Sequence, residues 1–356
     1  MGKWRDRMQA RIATNEARDK WANQVREDIL EPELPIIDPH HHLWDDRPEP
    51  MPRYLLEDVL DDIDSGHNVT STVFLQCASM YRNFGPENFR PVGETEFVNG
   101  IAATSASGNF GSTRIAAGIV GYADLLLGAA VEEVLVEHIK LGGGRFKGVR
   151  FSTGVDADDE VRKHIRKIVP EKLLNDPRVY EGFAKLAPLG LSFDCWLYFT
   201  QLADTVELAR AFPDTKIIIN HVGGVLGLGK YENRRQETFD VWKSGIESAA
   251  REPNVVIKLG GLTMKTVGFG FHQKQKPPTS SELSEAWRPY IETCIELFGA
   301  NRCMFESNFP VDKDGSSYHV LWNAFKRITT SFSDSEKTAL YSGTAARTYR
   351  LSPTIG

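Results

Sequence analysis

The chain has 356 residues, 41% of them hydrophobic and 25% charged, with a formal net charge of −6. That composition builds a globular fold with a large core, and an acidic balance without a Lys/Arg stripe excludes a nucleic-acid surface. Cys77, Cys195, Cys294 and Cys303 are widely spaced and read as free thiols; with no apolar leader and no run of about 18 apolar residues, the expectation is a cytoplasmic protein with no membrane partner.

Residues 1–33 are charged, with Trp21, Val25 and Ile29 at helical spacing. They predict a helical extension on the outside of the main domain, or one used between copies in a homo-oligomer. The main domain spans residues 34–356. Runs rich in β-branched and aromatic residues predict strands over Ile36–His40, Ser71–Cys77, Arg114–Gly121, Arg145–Phe151, Leu191–Trp196, Lys216–His221, Val255–Leu259 and Cys303–Ser307. Between them, Leu55–Ser65, Ala129–Leu141, Thr205–Phe212 and Trp287–Phe298 carry helical periodicity. Strands alternating with helices predict an α/β fold with a parallel sheet, and a count of eight predicts a closed (β/α)8 TIM barrel in a single domain. The segment from Gly260 to Glu285 is an inserted loop after the seventh strand, on the face where βα loops build active sites.

In a strand, residues two apart share a face. His40 and His42 of Asp38-Pro39-His40-His41-His42-Leu43-Trp44 therefore converge while His41 turns away. Two imidazoles at a strand end suit a divalent metal such as zinc; a hydrogen-bonded histidine cluster is the structural alternative. Other strand ends offer Gln76, Lys147, Arg150, Asp194, His221, Lys258, Glu306 and Asn308. Charges there are costly unless paired or bound to a ligand, so Lys147, Arg150, Asp194, Lys258 and Glu306 serve either a ligand or compensating ion pairs. His221 is followed by Gly223 and Gly224, which leave room beside it.

Five motifs stand in order along the chain: Asp-x-His-x-His-Leu-Trp from Asp38, Phe-Lys-Gly-Val-Arg-Phe from Phe146, Asn-His-Val-Gly-Gly from Asn220, Ile-Lys-Leu-Gly-Gly from Ile257, and Met-Phe-Glu-Ser-Asn-Phe-Pro-Val-Asp from Met304. Together they resemble the amidohydrolase superfamily, in particular the branch with lactone hydrolases of pyrone dicarboxylates and sugar lactones and related decarboxylases and hydratases. The likeness runs from Ile36 to Leu351; the extension and the loop 263–285 lie outside it. It implies that His40, His42 and His221 are metal-ligand positions, and that an Asp ending the eighth strand acts as ligand and general base. This chain has Asn308 there, and its fifth strand, Phe193-Asp194-Cys195-Trp196, lacks the His of many relatives. An amide cannot take a proton from water near neutral pH, though it can hold a water or an oxyanion. Glu306, on the same face as Asn308, is the first choice of base; Asp312 and His272 on the inserted loop are the others. Relatives that open pyrone lactones work without a metal, so the site either holds a divalent ion, zinc first, or does without one.

The expected function is hydrolysis of a lactone or cyclic ester. Lys147, Arg150 and Lys258 would make the mouth cationic, which suits a small carboxylated substrate, with Gln76, Trp44 and Tyr198 completing its contacts. A decarboxylase or hydratase on the same scaffold is the alternative. A barrel that binds a ligand without turnover is the third reading, prompted by Asn308.

Overall fold

Eight parallel strands lie side by side in chain order. They are β1 (Ile36–His41), β2 (Val69–Leu75), β3 (Arg114–Gly121), β4 (Phe146–Ser152), β5 (Ser192–Trp196), β6 (Ile217–Ile219), β7 (Val255–Leu259) and β8 (Cys303–Phe305). The computed structural model describes residues 2–45, 53–165 and 167–352. Every predicted strand is present within a few residues of its expected bounds. β6 and β8 stop early because the residues that follow leave the ladder to build the site.

Alternation sorts the strand residues into two layers. Val73, Leu75, Val120, Ile218, Val256 and Met304 point inward and form a small apolar cluster closed from below by Ala345 and Tyr349. Phe74, Ile217, Ile219, Ile257, Leu259 and Phe305 belong instead to the large outer core. Of the helices that cover this layer, Leu56–Ile63 buries one face through Leu56, Val59 and Ile63, whereas Tyr318–Ile328 is buried nearly all round. None of the four cysteines forms a disulfide, and all are buried. No helix among the described residues is long and apolar enough to cross a membrane.

The barrel closes through the ends of β1 and β8. Asn308 N–H donates to the His40 carbonyl at 2.9 Å and His42 N–H to the Phe309 carbonyl at 2.8 Å. A register break between Asp38 and His41 turns His40 into the interior, leaving Asp38 to accept from Ser307 N–H at 3.0 Å and the Tyr318 hydroxyl at 3.2 Å. Asn308 itself sits at φ 54°, an uncommon region that Asn tolerates better than most residues. Its Nδ2 donates to Asp312 at 3.0 Å, and the Asp312 carbonyl accepts from the Thr263 hydroxyl at 2.9 Å.

Two expectations are corrected. The inserted loop ends at Thr279 rather than Glu285, because Thr279 and Glu282 form a capping box that starts the helix Ser280–Phe298. The N-terminal helix runs Gly2–Ala22 and stops before Val25 and Ile29. The backbone beyond it bonds to barrel side chains instead: Leu30 N–H donates to Asn323 at 2.9 Å, and Lys326 donates to the Leu30 and Glu31 carbonyls. The helix lies across the loops at the C-terminal ends of the strands. Arg18 pairs with the Pro310 carbonyl and, at 3.1 Å, with Asp314. Trp21 donates to the Lys274 carbonyl at 3.2 Å, and Asn15 to that of Arg53 at 2.8 Å.

Burial pushes the Asp312 carboxyl up to about 8 from the ordinary 3.8. An acid raised by folding contributes stability that is complete below about pH 4 and lost as pH rises through about 8. Asp312→Asn keeps the acceptor for Asn308 and removes the titration. Melting temperatures of wild type and variant should therefore diverge in the variant's favour as pH rises from about 4 to about 8 and run parallel above that; parallel curves across the whole range would show that Asp312 does not titrate there.

Candidate functional site

The floor of the mouth is an ion pair. Lys258 on β7 and Asp194 on β5 meet at 2.9 Å with no exposed side-chain surface. Asp194 also accepts from Asn220 at 2.9 Å and from the Tyr349 hydroxyl at 2.9 and 3.0 Å. Lys258 donates to the Pro39 carbonyl at 2.8 Å and lies 3.5 Å from His40 Nδ1. A buried pair persists where its remaining valences are satisfied in this way. Lys258, expected at the substrate, is instead a support beneath His40.

Above it, three side chains from three strand ends converge. His40, His221 and Glu306 place ligand atoms within 4.8 Å of one another, all buried. Glu306 Oε1 accepts from both His221 N–H at 3.0 Å and His221 Nδ1 at 2.7 Å. Its Oε2 lies 2.5 Å from His40 Nδ1, yet makes no hydrogen bond. His221 adopts φ 54° and Val222 φ 47°, a turn held by Trp242 donating to the Val222 carbonyl at 2.7 Å. Glycine after β7 makes room: a Cβ at Gly261, which has φ +68°, would stand 2.5 Å from the His221 ring.

Arg150 faces the other edge of His40, its NH1 3.1 Å from Nε2, and also donates to the Gln76 carbonyl. Burial, with Lys258, His221, His42 and Arg150 around it, keeps His40 well below the ordinary histidine value and hence neutral. His42 stands beside it at 5.0 Å between ring centroids and donates Nδ1–H to the Leu75 carbonyl at 2.8 Å, which puts the lone pair on Nε2. Glu306 thus completes the tightest three-donor set, with His42 at its edge. His41 turns outward to the Thr72 hydroxyl at 2.8 Å. A carboxylate with neutral imidazoles is a donor set that holds divalent metals, and the unbonded Glu306 Oε2 fits such a role.

Near this cluster buried polar atoms that make no hydrogen bond are Arg150 Nε, Asn220 Oδ1 and Glu94 Oε2, and Tyr198 Oη, just after β5, is another such atom. Native proteins satisfy nearly all such groups, so a cluster of exceptions marks a place for water or ligand. Trp44 stacks on His42 at 5.8 Å. Glu94 was invisible in the sequence because it opens the helix Val92–Ala106 rather than ending a strand.

Lys147 does not reach the mouth. It is the second residue of β4 and donates to the Gly144 carbonyl at 2.8 Å, at the far end of the strand from Arg150. An odd offset from Arg150 also turns it to the other face. His272 lies on the one-turn segment Phe271–Gln273 and lines an outer cavity of about 400 Å³ with Lys265, Arg235 and Tyr231, apart from the His40 cluster. Asp312, by contrast, folds back onto Asn308.

Comparison with known proteins agrees with this geometry. A family profile described as amidohydrolase matches residues 37–351. An uncharacterized protein, y4mH, of Sinorhizobium fredii is 35% identical over 344 residues, covering 90% of this chain and 99% of its own. An L-fucono-1,5-lactonase of Burkholderia multivorans is 26% identical over 330 residues, covering 88% and 96%. The crystal structure of an amidohydrolase from Burkholderia multivorans with bound zinc superposes with a TM-score of 0.68 at 24% identity, covering 89% of this chain and 99% of that one. The barrel, the strand-end histidines and the extent of the match have one reading: the chain belongs to the amidohydrolase family and is a hydrolase of that superfamily.

Proposed function

We propose that the protein hydrolyses a lactone or similar cyclic ester that carries a carboxylate. The observation that carries this reading is the Glu306–His221 pair, in which one carboxylate oxygen takes both the backbone N–H and the ring Nδ1–H of His221. A buried carboxylate on Nδ1 fixes the tautomer and leaves Nε2 as a base. The lactonase names of relatives that align over most of their length support the substrate class.

The roles follow from position. His221 Nε2 takes a proton from the attacking water, and Glu306 stabilises the imidazolium that results. Glu306 has one oxygen committed to His221 and the other against His40, so its part is orientation. Asn308 holds the water or the developing oxyanion, its amide fixed by Asp312. Arg150, with Nε still to be satisfied, and the Tyr198 hydroxyl receive the substrate's carboxylate and carbonyl oxygens. Gln76 positions Arg150 through its carbonyl, and Trp44 supplies an apolar wall beside His42. His40, His42 and Glu306 would hold a zinc ion, which would supply Lewis acidity toward a carbonyl oxygen and leave His221 Nε2 to the water.

His221→Ala and Glu306→Gln should each lower kcat/KM on a responsive sugar or pyrone lactone by about 10²- to 10⁴-fold, with melting temperature recorded alongside. Wild-type rates in both variants would contradict the assignment, and release of carbon dioxide without ring opening would place the enzyme among the decarboxylases. Elemental analysis of protein purified without added metal should find about one zinc per chain, lost in His40→Ala. Full activity in demonstrably zinc-free protein would contradict the metal assignment.

A further inference from the structure

A lactone leaves as an alkoxide on the same molecule, and that oxygen needs a proton. On the side of His221 and Glu306, His221 takes a proton and the Asp312 carboxyl is tied to Asn308, so no group there is assigned to give one. The opposite side of the mouth, built by the end of β2, holds a second buried carboxyl that the reaction has not used.

Glu94 is 1% exposed. Its Oε1 accepts from the backbone N–H of Cys77 at 3.0 Å and of Ser79 at 2.9 Å, and from the Cys77 thiol at 3.6 Å. The turn that supplies these donors bends through Ala78 at φ 59° and Met80 at φ 55°. That cradle fixes one oxygen and leaves the other, Oε2, buried with no hydrogen bond. The same few residues also border the reaction site: Cys77 Sγ lies 3.6 Å from the carbonyl of Leu43, next to His42, and Gln76, next to Cys77, holds Arg150. Arg150 in turn lies within electrostatic reach of both Glu94 and Glu306. One guanidinium is therefore within reach of two carboxyl groups in different surroundings.

We infer that Glu94 is the acid of the mouth, delivering its proton from Oε2 to the ring oxygen as the lactone opens. The inference rests on the hydrolase reading above. In the step, the water oxygen bonds to the carbonyl carbon while its proton goes to His221 Nε2. The carbon–oxygen bond of the ring breaks, the electron pair goes to the departing oxygen, and that oxygen takes the Glu94 proton. The imidazolium and the Glu94 carboxylate then reset by proton exchange with solvent. Burial pushes the Glu94 carboxyl up to about 7, against the hydrogen bonds of Ser79 and Cys77 and the charge of Arg150, so the acid form is populated at neutral pH. Among the described residues, the titratable or charged groups facing it are Cys77, Tyr81 and Arg150. Two carboxyls driven apart by their surroundings are how one site runs acid and base chemistry together.

Glu94→Gln tests this, because an amide oxygen still accepts from Cys77 and Ser79 while the transferable proton is gone. Two lactones serve as probes, one with an alkyl and one with an aryl leaving oxygen. The inference predicts about a 10²-fold loss on the alkyl lactone, a loss within about threefold on the aryl lactone, and disappearance of the alkyl lactone's rate decline above neutral pH. Equal losses on both probes, or no loss on either, would overturn it, since a structural role does not depend on the leaving group. If the wild type opens neither probe, the hydrolase reading has failed separately. An infrared difference between wild type and Glu94→Gln then decides the acid: a protonated carboxyl band at pH 6 that fades toward pH 8 supports it, and no such band overturns it.

Discussion

Everything at the mouth of this barrel depends on a carboxylate enclosed among imidazoles. Glu306 holds His221 by two hydrogen bonds and crowds His40 on its other oxygen. It has no contact with solvent, so it is expensive to bury and stays only because N–H groups and nearby cations compensate it. Arg150 is the cation within reach of it, and the Lys258–Asp194 pair below forms the floor, closed by Tyr349 from the C-terminal segment. Removing one charge from such a layer unbalances the others, which explains why the polar residues ending these strands come as a set.

The same layer frames the question of a metal. Arg150 and Lys258 stand on either edge of His40, so a divalent ion would add positive charge beside two cations already balanced by Glu306 and Asp194. An anionic substrate or a hydroxide would offset it. The family relation and the donor set agree on a divalent site, while the charge layout makes the substrate's carboxylate part of the balance. The N-terminal helix adds enclosure, since Arg18 and Trp21 tie it to the loops after β8 and β7.

The barrel was legible because alternating apolar runs obey a local rule, and each predicted strand formed. The converging histidines followed from the same period: His40 faces in and His41 out, although the register break at Asp38 and Pro39, which no pattern signals, is what turns His40 inward. Lys147 resembles a strand-end lysine in the sequence because composition does not mark which end of β4 it occupies, and it is the second residue of that strand. The burial of Lys258 was equally hidden, since its partner Asp194 lies on another strand. Helical spacing carried Val25 and Ile29 past the true helix end because Asn323 and Lys326, about 300 residues away, claim that backbone. Glu94 and the return of Asp312 onto Asn308 depend on loop geometry, which single-sequence patterns do not encode.

The central claim is that Glu306 sets the proton position on His221. Nitrogen-15 spectra of the histidine rings near pH 7, with His221 assigned by substitution, read that position directly. The account predicts a hydrogen-bearing Nδ1 and a lone pair on Nε2 in the wild type, with the preference weakened in Glu306→Gln. A hydrogen on Nε2 in the wild type, or spectra unchanged by the substitution, would contradict it.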